Sequence, residues 1–213
     1  MRKLCELDWF KDIYRKIYDV LSVEDMLPDP CEINVLGVDE VETSSNVLGM
    51  AWRDSKTMWF RYQPPDTIVF AHELIHLIDA RDKVHELEEI YSYNLAGLAV
   101  LLAGEGITPK INIVRLFSDA TEDDILEAIR RVYRYSFKTL EEFFGFFGVI
   151  PLFDKFEVHE NGEVRIVRDR DMDSRTVSIL AVTEIAAGAE FDRLMLETVI
   201  ELINIVADKI ERF

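Results

Sequence analysis

The chain contains four histidines, and two of them fall within one short stretch, His72-Glu73-Leu74-Ile75-His76. On a helix, residues four apart lie one turn apart on the same face, so both imidazoles can reach a single metal ion. Paired imidazole nitrogens suit zinc, and we expect one Zn²⁺ per chain held by His72 and His76. Glu73 is one step round the helix from His72. That offset keeps its carboxylate out of the ligand row but close enough to hold a water at the metal. Zinc lowers the pKa of such a water, and Glu73 can accept its proton as the oxygen attacks a carbonyl. The chemistry expected is hydrolytic, with Glu73 as general base.

The flanks agree with this. Val69, Phe70 and Ala71 precede the motif, Leu74 and Ile75 fill its middle, and Leu77 and Ile78 follow. Three polar side chains in so apolar a frame are costly to bury without a partner. The competing interpretation is a core helix with two satisfied histidines. A di-iron carboxylate site would also use Glu73-x-x-His76, but it needs a second ExxH on another helix, and the chain has none.

From Val69 to Ile78 the chain resembles the zincin metallopeptidases, whose extended motif surrounds HExxH with such apolar residues. The resemblance reaches from Ile33 to Leu102 and is greatest to a compact gluzincin. It implies a zinc-dependent endopeptidase acting on peptide or protein substrates. It also implies that the strand before the motif helix is a sheet edge holding substrate in extended form. Thr57 to Tyr62 takes that place, with Trp59, Phe60 and Arg61 as the substrate-edge residues. A catalytically silent regulator or protein-binding module keeping the same fold is the alternative, and an intact Glu73 favours the enzyme.

Candidates for a third ligand follow the motif. Asp82 lies six residues after His76, the metzincin offset, although Asp79 stands where that pattern has glycine. His85 falls near a helix–helix turn, and Glu86 and Glu88 are further alternatives. If two helices form an antiparallel hairpin turning at Asp82–Lys83, position 89 faces His76 and position 93 faces His72. Glu89 is therefore chosen on geometry. The string Glu89-Ile-Tyr-Ser-Tyr93 also resembles the gluzincin glutamate helix, with Tyr93 replacing the aspartate that orients the first histidine. A Tyr93 hydroxyl would then accept from His72. A second donor for the oxyanion is required besides the metal, and Tyr91, Tyr93, His85 and His159 are candidates.

The elements that must position these groups are legible as patterns. Apolar residues at helical spacing predict a first helix over Leu4–Leu21. Ile33–Val38 is a short strand candidate, and Asn46–Arg53 with Thr57–Tyr62 predicts a β-hairpin around Asp54-Ser-Lys56. Pro64-Pro65 ends the second strand, Asp66 is placed to cap a helix, and the helical pattern runs from Thr67 to about Ala80. A second helix is expected over Val84–Leu102. Further on, Thr121-Glu-Asp-Asp124 resembles a capping box, with Arg130, Arg131 and Arg134 at the other end of its helix. Asn161-Gly162 between apolar runs predicts a second hairpin. A final helix from about Ser174 carries a stripe of Leu196, Val199, Ile203, Val206 and Ile210. The phenylalanines of Phe143–Gly148 are expected in the core, and Glu184 is an isolated acid on an apolar stretch.

These elements give an α+β fold. Residues 1–105 form a zincin-like, metal-binding part with a small mixed or antiparallel sheet, the motif helix and the glutamate helix. Residues 106–213 form a mainly helical part with one β-hairpin, and the boundary is soft. The 213 residues are 49% hydrophobic, enough for a packed core. Lys and Arg total 24 against 41 Asp and Glu, for a net charge of −17, a field that repels phosphate. We therefore expect no nucleic-acid and no membrane partner. The longest apolar runs fall well short of the roughly 20 residues that span a bilayer. Cys5 and Cys31 fit no metal motif and are expected as buried thiols in a cytoplasmic protein. A single glutamine beside many Glu, Lys and Arg leans towards a thermophilic source.

Overall fold

Pro64 and Pro65 stop a strand, and the next residue starts the helix that carries the motif. In the computed structural model, which describes residues 1–78, 89–133, 154–158, 164–168 and 193–210, the Asp66 carboxylate accepts from Ile68 N at 2.9 Å. This cap satisfies one of the free donors of the first turn. Helix α2 then spans Thr67–Leu77 and buries Val69, Phe70, Ala71, Leu74, Ile75 and Leu77. A helix apolar all round has to be central. It packs against α1 (Ile13–Leu21), α3 (Glu89–Gly104) and strand β3 (Gly49–Trp52). It ends at Leu77, three residues earlier than the periodicity predicts, where Ile78 turns extended.

The sheet beside it has the order β1-β2-β4-β3, with β1 Arg2–Lys3, β2 Asn34–Val35 and β4 Thr57–Phe60. β3 and β4 form the expected antiparallel hairpin, with Gly49 opposite Phe60 and Trp52 opposite Thr57. β4 is parallel to β2, and β1 is antiparallel to β2. Every residue of β4 is buried, whereas all four of β3 are half-buried. The strand expected at the edge is thus an interior one, and β3 is the edge. Trp59 and Phe60, expected to face substrate, are 1% and 0% exposed. β4 is paired on both sides, with β2 and with β3.

Two further expectations are corrected. The first helix is broken: Leu4–Glu6 forms a single 3₁₀ turn, and α1 begins only at Ile13, after Asp12 takes φ 49°. The detour turns Leu7 and Phe10 into the core. There Trp9, Tyr14, Phe60 and Phe70 meet in edge-to-face and tilted contacts with ring centroids 5.2–6.1 Å apart. Cys5 and Cys31 are not buried thiols. They are exposed and joined as a disulfide. β1 pairs with β2 through Arg2–Val35 and Lys3–Asn34, and this register brings the two Cα atoms to 5.1 Å.

The chain divides into two compact units, Met1–Arg115 and Leu116–Phe213, with α4 (Ile113–Asp119) running across the division. In the second unit, α5 (Glu122–Tyr133) is capped as predicted. Asp124 N donates to Thr121 Oγ1 at 3.3 Å, and Thr121 N donates to the Asp124 carboxylate at 2.9 Å. α5 packs against α6 (Arg193–Ile210), burying Ile125, Leu126 and Ala128 together with Leu202, Ile203 and Val206. β5 (Asp154–Val158) and β6 (Val164–Arg168) pair antiparallel, as the hairpin signal predicts. Asn161-Gly162, His159, Phe143–Gly148, Arg134, Glu184 and the segment from Ser174 to 192 lie outside the described residues. Among the described residues no helix is long and apolar enough to cross a membrane.

Candidate metal centre

Helical spacing places His72 and His76 on one face of α2, and the packing of α3 and β3 decides what that face meets. The two imidazoles lie edge to face with centroids 4.5 Å apart, and their Nε2 atoms are 3.0 Å apart. Without a metal, one ring donates its N–H to the lone pair of the other. Two nitrogen ligands of a tetrahedral zinc with bonds of about 2.0–2.1 Å stand roughly 3.3 Å apart. The observed separation is close to that value, so the spacing of this donor pair fits zinc. His72 is 2% exposed and Glu73 4%, while His76 is half-buried.

The pair opens onto a cavity of about 570 Å³. His72 and His76 of α2 form its floor, and Glu73 lines it against Gly49. One wall is Gly49, Met50 and Ala51 on β3, continued by Asn46, Val47 and Leu48 of the preceding loop. Tyr93 of α3 closes another side. Its ring lies on the His72 imidazole, with centroids 3.9 Å apart and planes inclined by 22°. Tyr93 therefore meets His72 by its face, where the sequence suggests a hydroxyl contact. This contact also puts position 93 opposite His72, the register expected of the helix pair.

The remaining candidates divide clearly. Glu89 is the first residue of α3, four before Tyr93 and so on the same helical face, and Tyr91 lies between them. The side chains of both are outside the description, as are Asp82, His85, Glu86 and Glu88. Among the described residues no group of three His, Cys, Asp or Glu side chains gathers around one point. Arg61 is not on an open edge. Its Nε donates to Val47 O at 2.7 Å, its Nη2 donates to Ser44 O, and its guanidinium carbon lies 5.6 Å from the centre of the Trp59 ring. It clamps the loop that walls the cavity.

Two further cavity residues bear directly on the motif helix. Arg53, just past β3, sends Nε to the His76 carbonyl at 3.3 Å, placing a cation at the C-terminal end of α2 where the helix dipole favours it. Gly49 lies directly against Glu73. A glycine inside a strand pattern is the available sequence signal, since it often marks the close approach of another group. No family model, curated protein or solved structure matches the chain.

Proposed function

We propose that the chain is a zinc-dependent peptidase with His72, His76 and Glu89 as metal ligands and Glu73 as general base. The observation that carries this reading is the pair of Nε2 atoms 3.0 Å apart at the floor of a cavity, with the Glu73 carboxylate beside them at its wall. Zinc bound there would supply a Lewis acid that polarises the scissile carbonyl and lowers the pKa of the attacking water. Glu73 takes the proton from that water and passes it to the leaving amine. Its low exposure keeps bulk water from competing for the proton. Tyr93 holds the His72 ring in plane by stacking, and Arg53 fixes the carbonyl end of the motif helix through His76 O.

Substrate is assigned to β3 rather than to Thr57–Phe60. β3 is the sheet edge and it lines the cavity, so its outward backbone groups are placed to pair with an extended peptide. Glu89 as third ligand is supported by its position one helical turn before Tyr93. The fold reading that goes with this is a compact gluzincin-like arrangement of sheet, motif helix and glutamate helix.

The test is zinc content and peptide hydrolysis on purified protein. One zinc per chain is expected in the wild type and in Glu73→Gln, with hydrolysis lost in the variant by about 10²-fold or more. Glu89→Ala is expected to lose the metal. A wild type that takes up no zinc on reconstitution, or a Glu73→Gln variant that cleaves normally, refutes the proposal.

A further inference from the structure

Gly49 of β3 lies against the motif at Glu73, and it has no side chain to place there. A Cβ built on its backbone would lie 2.6 Å from Glu73 Oε1, 2.8 Å from Glu73 Cγ and 2.9 Å from Glu73 Cδ. These distances are far inside the roughly 3.5 Å at which carbon atoms attract. Nothing in the backbone calls for glycine at this position. Gly49 sits in a regular antiparallel pair with Phe60, and the only described glycine with positive φ is Gly106. Alanine can therefore adopt the same φ and ψ, and the three atoms that a side chain there would meet first all belong to Glu73.

We infer that Gly49 is a positioning residue for Glu73: the missing Cβ on the edge strand forms the slot in which the carboxylate rests at the cavity wall. The three nearest atoms all belong to the Glu73 side chain and none to the backbone of α2. A methyl group at position 49 therefore displaces the carboxylate without separating strand from helix. Fold and imidazole pair survive the change, and the carboxylate is lost from its place. The contact stands on geometry alone, while its catalytic consequence rests on the peptidase reading above.

The experiment uses the full chain in four forms: wild type, Gly49→Ala, Glu73→Ala and the double variant. In the wild-type background, Gly49→Ala is expected to lower Tm by about 3 °C, as the buried carboxylate is forced off its position. In the Glu73→Ala background the same substitution should raise Tm by about 1–2 °C. The clash partner is gone there, and alanine only restricts the unfolded chain. Zinc content should be unchanged by Gly49→Ala. Its kcat on a peptide substrate should fall on the order of 10²-fold, with KM within about twofold. Equal Tm shifts in the two backgrounds would overturn the inference, and so would an unchanged kcat in Gly49→Ala. A zinc-loaded wild type that cleaves no peptide would overturn the hydrolytic reading only, and the stability comparison would then decide the Gly49–Glu73 contact by itself.

Discussion

Arg61 separates two accounts of how the cavity is built, because the sequence pattern gives it to substrate and the structure gives it to the loop Ser44–Leu48. Its guanidinium donates to the carbonyls of Val47 and Ser44 and lies over Trp59, while its own backbone N–H donates to Leu48 O at 3.0 Å. Hydrogen bonds from a charged donor contribute about 1.5–3 kcal/mol each, and a partly exposed cation over an indole adds about 0.5–1 kcal/mol. Ser44 is exposed, so the bond to it counts for less. The Leu48 backbone bond also survives removal of the side chain. A net loss of about 2 kcal/mol on Arg61→Ala is the reasonable estimate, which is roughly a 30-fold shift of the loop's local opening equilibrium.

The assay is native-state hydrogen exchange read at the Val47 amide, which donates to Ser44 O at 3.2 Å within the loop. Its exchange should speed up about 30-fold in Arg61→Ala, with core amides of α2 slowed or quickened far less. Arg61→Lys should recover only part of the protection, because a single ammonium cannot reproduce a fork that reaches two carbonyls. Since Asn46, Val47 and Leu48 wall the cavity, KM for a peptide should rise in step with the exchange rate. Val47 exchange that stays at the wild-type rate while KM rises would refute the clamp and return Arg61 to direct substrate contact.

Three other consequences are open to measurement. Burial, and then the Asp29 carboxylate, push the Tyr18 phenol up to about 12, and its hydroxyl donates to Pro28 O at 2.8 Å. The unfolded phenol ionises near 10, so this contribution is complete below pH 10 and lost as pH rises towards 12. Chemical denaturation should show a loss of roughly 2 kcal/mol over that window, which Tyr18→Phe abolishes; an identical alkaline slope in the variant would exclude Tyr18 as its source. Tyr93→Ala should weaken zinc binding about 10-fold in a chelator competition, whereas Tyr93→Phe keeps it, because the ring face is what meets His72; equal losses in both would shift the role to the hydroxyl. Reducing Cys5–Cys31, a cross-link with a sequence separation of 26, should cost about 3.5 kcal/mol by loop entropy and lower Tm by about 10 °C. Zinc content should not change, since the staple joins β1 to β2 at the opposite side of the sheet from β3. A melting curve indifferent to reductant would show that the thiols are not paired.

What the sequence made legible follows the range of the interactions involved. The His72–His76 pair needs only the pitch of one helix, and the Asp66 cap and the Thr121–Asp124 box need only a single turn. Such local geometry is dictated by neighbouring residues and survives any arrangement of the rest. The Cys5–Cys31 bond was hidden because it depends on the β1–β2 register, and two-residue strands leave no periodicity to read. The break before α1 was hidden for a related reason. Leu4, Leu7 and Phe10 fit a helical spacing, yet they are buried by a turn that tertiary packing holds in place. The exchange of edge and centre between β3 and β4 is different, because the sequence held only part of its evidence. Thr57-Met-Trp-Phe60 is buried throughout, yet Gly49-Met-Ala-Trp52 is no less apolar, so composition alone does not say which of the two lies inside. Gly49-Met-Ala-Trp52 carries the glycine that a close neighbour demands, and in the structure that neighbour is Glu73. The sheet order and this glycine together link the edge to the motif: the strand proposed to pair with a peptide is the strand whose missing side chain leaves room for Glu73. A substitution at position 49 should therefore disturb the acid before it disturbs the sheet.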